Sequence, residues 1–329
     1  KYKIIVNPVA GGRTGDRAIP RIERLLSGYG LDFDLVRTER PWHAADLAQE
    51  ATVAGYDVVV AVGGDGTANE VLNGLMRAKT TLPPQNWGGP RGGREWPAMG
   101  ALCVGRGNDF AYGVSIPLDL EAGCRALAQG HRRRIDVGWV VGGLYPQGRY
   151  FGNGIGIGFD AVVGFEAVKI ARLRGFLGYP VAVLKTVFLY YKAPLVTIEY
   201  DGQTITQHSL MISIMNGRRM GGGFMMAPEG EPDDGLLDLC IAREVSRTRI
   251  FALIPHFMRG TQVTQEPIQS GRTRRVVVTA VEGVLPAHAD GETLCTEGQR
   301  LEVELLPRQI DVVCRMPEAV PQAYRESVE

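Results

Sequence analysis

The stretch Gly63-Gly64-Asp65-Gly66-Thr67-Ala68-Asn69-Glu70 is the most informative part of this sequence for its fold. Before it runs 56–62, an apolar and β-branched segment of strand length, and after it apolar residues recur at helical spacing. The glycines therefore stand where a buried strand turns into a helix, where glycine permits positive φ and the close approach of a ligand. The pattern predicts a strand–turn–helix unit with a ligand at the turn.

The chemistry of this turn favours a phosphate. The start of a helix offers free N–H groups and the positive end of the helix dipole, both of which suit an anion. Asp65 would repel a phosphate there unless a cation lay between them, and a bridging Mg²⁺ would neutralise both charges. A tight turn of an ordinary α/β protein is the other interpretation. Three glycines around an Asp, followed by Thr, favour nucleotide binding.

Two other strand ends carry similar turns. Residues 3–6 form a short apolar strand that ends at Asn7 and the Gly11-Gly12 turn, which lacks the Gly-Lys-Ser/Thr ending of a P-loop. Residues 101–104 form another strand, followed by the turn 105–109, which contains a second acidic residue, Asp109. Ligands bind at the carboxyl ends of strands in open parallel sheets. If these strands are neighbours, the turns converge on one crevice.

The pattern along the chain indicates two parts. Up to about Arg134, predicted strands alternate with helices at 18–27 and 42–54, which favours a doubly wound parallel sheet. A long irregular connection rich in Pro, Gly and Trp is predicted for 77–99. Beyond Arg134, strands dominate and favour an antiparallel sandwich or barrel, with helical exceptions at about 160–191 and 245–259. The predicted strands are 150–157, 195–200, 209–215, 236–242, 275–281 and 300–306.

The composition excludes several classes of protein. The 329 residues include 36 Lys+Arg and 36 Asp+Glu, so a globally basic nucleic-acid binder is disfavoured. The five cysteines are scattered and form no Cys-x-x-Cys pair, which indicates neither a disulfide framework nor a zinc site. No apolar run reaches the length of a membrane span and no signal-peptide pattern is visible, so we expect a cytoplasmic protein.

An ordered set of motifs carries a family resemblance, although each motif alone is weak. The motifs are Asn7-Pro8 with Gly11-Gly12, Gly63–Glu70, Gly107–Ala111, Ile135–Gly138, Asn153–Asp160, Asn216-Gly217 with Gly221–Phe224, Asp234-Gly235, and Asp290-Gly291-Glu292. With this set, nearly the whole chain resembles the bacterial lipid kinases of the diacylglycerol kinase type, which are related to sphingosine and ceramide kinases.

The resemblance implies a fold and a reaction. The implied fold is an α/β nucleotide-binding domain, 1–134, joined by the C-terminal tail 311–329, and a β-sandwich lipid-substrate domain, 135–310. The implied reaction is ATP- and Mg²⁺-dependent phosphorylation of a lipid hydroxyl, as in a diacylglycerol or a related sphingoid or ceramide-type lipid, in the cleft between the domains. We therefore expect a peripheral protein at the inner membrane face, with a lipid partner. The oligomeric state stays open, with a homodimer among the options.

The resemblance also implies roles for particular residues. Asp65, Asp109 and Asp136 would form an acidic network around catalytic Mg²⁺, and Glu292 would be the general base. A structural Mg²⁺ would bind Asp234 and the backbone carbonyls of Glu231 and Leu236. The residues expected at the ATP site are Asn7, Thr38, Gly63, Gly64, Asp65, Gly66, Thr67, Ala68, Asn69, Glu70, Arg106 and Asn108.

One position departs from the family pattern. Where the family usually has Thr after the residue matching Gly105, this chain has Arg106. Arg106 could pair with a phosphate, point to solvent, or mark a paralogue with altered substrate or lost activity. Two alternatives therefore stay open: an NAD kinase-like enzyme, and a catalytically silent lipid- or nucleotide-binding regulator. The segment 164–192 mixes aromatic and basic residues, which suits either a membrane contact or packing on the sandwich.

Overall fold

The structure of the protein is a computed structural model that describes residues 1–82, 95–171 and 193–316, with side chains in all of these except 167–171. Its first part is a parallel sheet with helices on both faces, and its second part is an antiparallel β-sandwich. The predicted combination of folds is therefore confirmed. The 164–192 segment lies mostly outside the described residues.

The parallel sheet has the strand order β2-β1-β3-β4. Its central strand β3 is buried along its whole length, as expected for an apolar run covered on both faces. Helices α2 and α3 pack on one face, and α1 and α5 pack on the other. The elements are β1 (Tyr2–Val6), α1 (Ala10–Gly28), β2 (Phe33–Arg37), α2 (His43–Ala54), β3 (Val58–Gly63), α3 (Asp65–Thr81), β4 (Ala98–Cys103), α4 (Asp109–Gly113) and α5 (Leu120–Gln129).

The second part places antiparallel strands in two layers around one apolar core. The main strand path runs β14-β13-β7-β9-β8-β12-β15, with β10 and β11 attached at β9 and with β5 and β6 attached at β15. The elements are β5 (Arg132–Gly142), β6 (Tyr145–Phe151), β7 (Gly154–Gly158), α6 (Phe159–Ala171), β8 (Leu195–Tyr200), β9 (Gln203–Met215), β10 (Leu237–Arg243), α7 (Arg247–Arg259), a 3₁₀ turn (Gln262–Thr264), β11 (Ile268–Thr273), β12 (Arg275–Glu282), β13 (Leu285–Ala289), β14 (Glu292–Gly298) and β15 (Arg300–Val313).

Strand β15 joins the two parts of the molecule. Its first half pairs with β12, while its far end lies beside β4, where Val312 is the partner of Met99. The sequence predicted a strand ending at 306, but β15 continues to Val313 because its last residues also pair with β5. The proposed domain division at 134/135 falls within β5 and stays a prediction.

Three other boundaries differ from the predictions. Helix α1 begins at Ala10 rather than at 18, because Gly11, Gly12 and Arg13 make a left-handed turn inside it with φ of 58°, 71° and 73°. A Cβ on Gly11 would lie 2.1 Å from the carbonyl oxygen of Val104, so only glycine fits there. Helix α3 continues through Thr81, which shortens the predicted irregular connection, and 83–94 lies outside the described residues.

The third difference is a break in the predicted strand 150–157. Strand β6 ends at Phe151 and β7 begins at Gly154. The amides of Gly152 and Asn153 donate to the Asp290 carboxylate rather than to a neighbouring strand. A side chain from a distant part of the chain therefore interrupts the strand.

Among the described residues, no helix is both long enough and apolar enough to cross a membrane.

Candidate active site

The carboxyl ends of β1–β4 lie at one edge of the sheet and carry the predicted nucleotide turns. The turns after β3 and β4 pack backbone against backbone, since a Cβ on Gly105 would lie 2.5 Å from the Cα of Gly64. Thr38 follows β2 at the same edge, and its amide donates to the Val6 carbonyl at 2.8 Å. The structure therefore brings the predicted strand-end turns together, as the sequence suggested for neighbouring strands.

Asn7 and Thr67 connect the first of these turns to α3. The Asn7 Nδ2 donates to the Thr67 Oγ1 at 3.1 Å, and the Val9 amide donates back to the Asn7 Oδ1 at 3.2 Å. Thr67 also explains the neighbouring glycine, because a Cβ on Gly63 would lie 2.3 Å from its Oγ1. These contacts hold the amides of the two turns around one opening.

Asp65 and Asp109 lie close together on opposite sides of Gly107. A Cβ on Gly107 would be 2.8 Å from the Asp65 Oδ2 and 3.5 Å from the Asp109 Oδ2. The Phe110 amide donates to the Asp65 Oδ1 at 3.0 Å. Burial, and then the negative charge of Asp109, raises the pKa of Asp65 to about 6. A buried carboxylate beside a second carboxylate, with no ion pair of its own among the described residues, favours a cation.

The second part of the chain contributes donors to Asp109. The Gly222 amide donates to the Asp109 Oδ2 at 2.9 Å, and the Arg219 Nε lies 2.9 Å from the Asp109 Oδ1. Burial raises the pKa of Asp109, while the Gly222 amide and Arg219 partly offset that rise. Arg219 also donates to the Gly107 carbonyl at 3.1 Å and stacks 4.0 Å over the Tyr112 ring. The cleft therefore has walls from both parts of the chain.

Glu292 reaches the same cleft from a hairpin of the sandwich. It is the first residue of β14, after the two-residue turn Asp290-Gly291, whose φ values of 49° and 83° are those of the tight turns that suit hairpins. A Cβ on Gly66 would lie 2.8 Å from the Glu292 Oε1, so this exposed carboxylate lies at the N-terminal end of α3, beside Asp65. The structure therefore brings Glu292 to the start of α3, the helix that begins at Asp65.

Asp290 is a site residue that the sequence analysis did not select. Its carboxylate is buried and accepts four hydrogen bonds. The donors are the amides of Gly152 (2.8 Å), Asn153 (3.0 Å) and Gly154 (2.9 Å) and the Asn69 side chain (2.8 Å). The available signal was the Asp-Gly turn itself, since Asp tolerates positive φ and accepts hydrogen bonds from nearby amides.

Asn69, which was expected at the ATP site, uses its side chain inside the protein. The Asn69 Nδ2 donates to the Tyr150 carbonyl (3.1 Å) and to Asp290, while its Oδ1 accepts from Arg149 (2.6 Å) and from Asn73 (3.1 Å). This use of both N–H groups and of the oxygen argues against a direct nucleotide contact by that side chain.

Glu70 and Ala68 also face inward. The Ala44 amide donates to the Glu70 Oε2 at 3.1 Å, at the start of α2, and burial raises the pKa of Glu70. Ala68 packs in the apolar core between α3 and the sheet. These residues position α3 rather than line the opening.

The Asp136 carboxylate has partners in the second part of the chain. It is fully buried, and its two carboxylate oxygens accept from the amides of Gly235 (2.7 Å) and Arg308 (2.6 Å). No group of three His, Cys, Asp or Glu side chains suited to one metal ion occurs among residues 1–82, 95–166 and 193–316. Asp136 therefore connects the turn before β10 to β15, and its place in a three-carboxylate network stays a prediction.

The predicted structural metal site is surrounded by arginines. The Asp234 carboxylate pairs with Arg272 and accepts from the Leu236 amide at 3.0 Å. The Glu231 carboxylate pairs with Arg133 at 2.6 Å and with Arg218. Arg272 thus compensates the Asp234 carboxylate, but the predicted site also used the backbone carbonyls of Glu231 and Leu236, so the structural Mg²⁺ site stays a prediction.

Arg106 and Asn108 lie on the turn after β4. Arg106 is exposed, and no hydrogen bond or ion pair of its side chain occurs with the part of the chain that is described. Asn108 has a left-handed φ of 55° and donates from Nδ2 to the Gly105 carbonyl at 3.2 Å, while its buried Oδ1 has no partner. That unpaired acceptor lies near Gly64 and Gly105 and suits a ligand N–H or O–H group.

An apolar cavity opens in the second part of the chain. It has an empty volume of about 580 Å³, counting its open mouth, and one of its lining residues is charged, Asp160. The Asp160 carboxylate is buried, its Oδ2 has no hydrogen-bond partner, and it lies 3.9 Å from the Nε2 of His288 on β13. Burial raises the pKa of Asp160 to about 7 and lowers that of His288 to about 4. The apolar lining includes Val163, Leu210, Met211, Ile250, Leu253 and Phe257.

The fold and the cleft define a two-part protein of the kind found among nucleotide-dependent kinases. Residues 1–140 match the diacylglycerol kinase catalytic domain family, and residues 153–314 match the YegS C-terminal NAD kinase beta sandwich-like domain family. The two matches together cover most of the chain, and the resemblance to the diacylglycerol kinase type inferred from the motifs is confirmed.

Individual relatives agree with this assignment. A protein named diacylglycerol kinase from Bacillus subtilis (strain 168) is 27% identical over 295 residues, which cover 89% of each chain. A diacylglycerol kinase from Staphylococcus aureus (strain Newman) is 26% identical over 315 residues, covering 95% of this chain and 91% of that protein.

Solved structures show the same fold. A diacylglycerol kinase from Bacillus anthracis str. Sterne superposes with a TM-score of 0.68 at 21% identity, covering 96% of this chain and 97% of that one. An NAD kinase from Archaeoglobus fulgidus in complex with ATP gives 0.50 at 14% identity, covering 95% and 93%.

Proposed function

We propose that this protein transfers the γ-phosphoryl group of ATP to a hydroxyl of a diacylglycerol-like lipid, with Mg²⁺ as the cofactor. The family supports a kinase, and the observation that carries the proposal is the position of Glu292. Its carboxylate lies at the N-terminal end of α3, beside Gly66, the residue that follows Asp65. A candidate base and a candidate phosphate site are thus within reach of one another.

The residues of the cleft fit the needs of phosphoryl transfer. Catalysis of this reaction depends on positioning and charge stabilisation more than on covalent chemistry. The amides at the start of α3 and of the turn after β4 would receive the phosphates. Arg219, already held against Asp109, would add a cation on the opposite wall. Glu292 would accept the proton of the lipid hydroxyl, as a general base does.

Asp65 and Asp109 fit the cofactor that this reaction requires. Mg²⁺ commonly binds proteins through one or two carboxylates and completes its coordination with water and substrate phosphates. The raised pKa of Asp65 indicates a carboxylate lacking compensating charge, which is what a resident cation would supply. When bound, the ion would neutralise charge on the phosphates.

The apolar cavity supports a lipid acceptor. Its lining comes from α6, β9 and α7 and is suited to an acyl chain rather than to a sugar or a nucleotide. The cavity is linked to the cleft through β13, because His288 faces Asp160 on one side and accepts from the Gly291 amide at 3.4 Å on the other. A chain held in the cavity would bring its polar end toward the turn that carries Glu292.

The two alternatives make different demands. An NAD kinase would need a polar surface for a second nucleotide, and the apolar cavity does not supply it. A silent regulator would bind ATP or lipid without transfer, and the exposed Arg106 is the feature that favours it.

The proposal is tested by transfer of label from [γ-³²P]ATP to dioleoylglycerol in mixed micelles, with and without EDTA. We expect Mg²⁺-dependent phosphatidic acid from the wild type and at least about 10²-fold less from Glu292→Gln, the typical contribution of a general base. Leu253→Trp, which fills the cavity, should raise the KM for the lipid and leave the KM for ATP unchanged. Phosphatidic acid formation that is absent, or indifferent to both substitutions, would overturn the proposal.

A further inference from the structure

A buried guanidinium lies behind the cleft. Arg149 on β6 is only 2% exposed. Its hydrogen bonds go to neutral groups, from NH1 to the Tyr145 hydroxyl at 2.6 Å and from NH2 to the Asn69 Oδ1 at 2.6 Å. Within the described parts of the chain, no carboxylate forms an ion pair with it. A buried cation without a direct counterion is costly, so its presence calls for a specific role.

Aromatic rings hold the guanidinium in one place. Its central carbon lies 4.7 Å from the centroid of the Trp42 ring and 4.9 Å from that of the Tyr145 ring. Arg77 packs over Trp42 as well, at 4.8 Å. Cation–π contacts of this kind offset part of the cost of burying the charge. Trp42 comes at the N-terminus of α2, a few residues after Thr38, so Arg149 contacts the nucleotide side of the cleft.

Arg149 also fixes the orientation of the Asn69 amide. A guanidinium can only donate hydrogen bonds, so the Asn69 oxygen must face Arg149, and the Asn69 NH₂ group must face the other way. That NH₂ group donates to the Asp290 Oδ2 at 2.8 Å and to the Tyr150 carbonyl at 3.1 Å. If the amide rotated, its oxygen would lie against the Asp290 carboxylate, which is repulsive.

The chain of contacts ends at the candidate base. Asp290 is the first residue of the turn that presents Glu292, and its carboxylate is held by Asn69 and three backbone amides. Arg149 and Asp290 are opposite charges separated by one amide, so each compensates the other through Asn69. Loss of the guanidinium would leave Asp290 with less compensation and would remove one of the two donors to the Asn69 oxygen.

We propose that Arg149 is a positioning residue for Glu292, acting through Asn69 and Asp290. The expected effect on kcat rests on the proposed function. The expected effect on the structure around Asp290 can be measured without any activity. Strand β6, which lies outside the sequence motifs, would thereby help to position the candidate base.

The kinetic test uses Arg149→Met, Arg149→Lys and the double variant Arg149→Met/Glu292→Gln. We expect kcat for lipid phosphorylation to fall at least tenfold in Arg149→Met with the KM for ATP within twofold of wild type. Arg149→Lys should recover part of kcat, because it retains the charge. If Arg149 acts only through Glu292, the double variant should have the same kcat as Glu292→Gln alone. A further tenfold loss in the double variant would overturn the proposal.

Hydrogen exchange supplies the readout that does not depend on activity. In Arg149→Met, peptides covering 150–158 and 286–294 should exchange faster, since the amides of Gly152, Asn153 and Gly154 depend on Asp290. The exposed Arg300→Met is the matched control and should leave both peptides unchanged. Unchanged exchange in a folded Arg149→Met would overturn the proposal. If Arg149→Met shows the expected faster exchange but the wild type does not phosphorylate lipid, only the proposed function is wrong.

Discussion

Replacing Asp65 with Asn should abolish transfer and, above pH 6, stabilise the fold. The loss of transfer and the gain in stability have one cause, the negative charge of Asp65. Burial and the charge of Asp109 make this charge unfavourable for the fold, while a catalytic cation would require it. The hydrogen bond from the Phe110 amide to the Asp65 Oδ1, at 3.0 Å, can be kept by the Asn oxygen. The substitution therefore removes the charge and leaves the local shape.

The magnitude follows from the pKa of Asp65. The fold raises this pKa from 3.8 to about 6, so the stabilising effect of the protonated carboxyl is present below about pH 4 and is lost as pH rises through 6. Two pKa units correspond to about 3 kcal/mol as an upper bound, and the partial exposure of the group reduces this to about 1–3 kcal/mol. Asp65→Asn should gain that amount relative to wild type between pH 4 and pH 8.

Urea unfolding at pH 4 and pH 8, in EDTA, measures this difference. Asp32→Asn is the matched control, since Asp32 is exposed, and its substitution should not change the pH dependence. Addition of Mg²⁺ with a non-hydrolysable ATP analogue should then stabilise the wild type more than Asp65→Asn. The reasoning fails if Asp65→Asn is no more stable than wild type at pH 8, or if it retains kcat at saturating Mg²⁺.

Three further outcomes are expected. Glu292→Gln should lower kcat by at least about 10²-fold while its melting temperature and ATP affinity stay near wild type. If the variant retains most of kcat, Glu292 is not the base, and Asp109 is the next residue to test. Arg106→Thr should change the KM for ATP more than the KM for lipid if Arg106 contacts a phosphate, and two unchanged constants would make it a solvent-facing bystander. Burial raises the pKa of Asp160 to about 7, so the wild type should lose stability as pH rises from about 4 to 7, and Asp160→Asn should lose less. The same pH dependence of urea unfolding in both proteins would refute the raised pKa of Asp160.

The sequence predicted the local features of the site well. The strand–turn–helix at Gly63–Thr67 was predictable because an apolar run, glycines and helical spacing are all local signals. The doubly wound sheet followed from the alternation of strands and helices, and the convergence of Asp65 and Asp109 followed from their places at the ends of neighbouring parallel strands.

The features that local patterns missed depend on distant contacts. The partners of Asp136 could not be predicted from its sequence neighbours, because they are the amides of Gly235 and Arg308, far along the chain. The break between β6 and β7 depends on Asp290, more than a hundred residues away. The Gly11-Gly12 turn was interpreted as lying before the first helix, but α1 begins at Ala10 and includes this left-handed turn. Such pairings are set by tertiary packing, which overrides local preference.

The central claim is that the chain phosphorylates a lipid hydroxyl, and one measurement tests it most directly. The wild type is incubated with [γ-³²P]ATP, Mg²⁺ and a mixture of diacylglycerol, ceramide, sphingosine and NAD, and the labelled products are separated. The account predicts label in a phosphorylated lipid and none in NADP. Label in NADP alone, or hydrolysis-level background in every product, would contradict it.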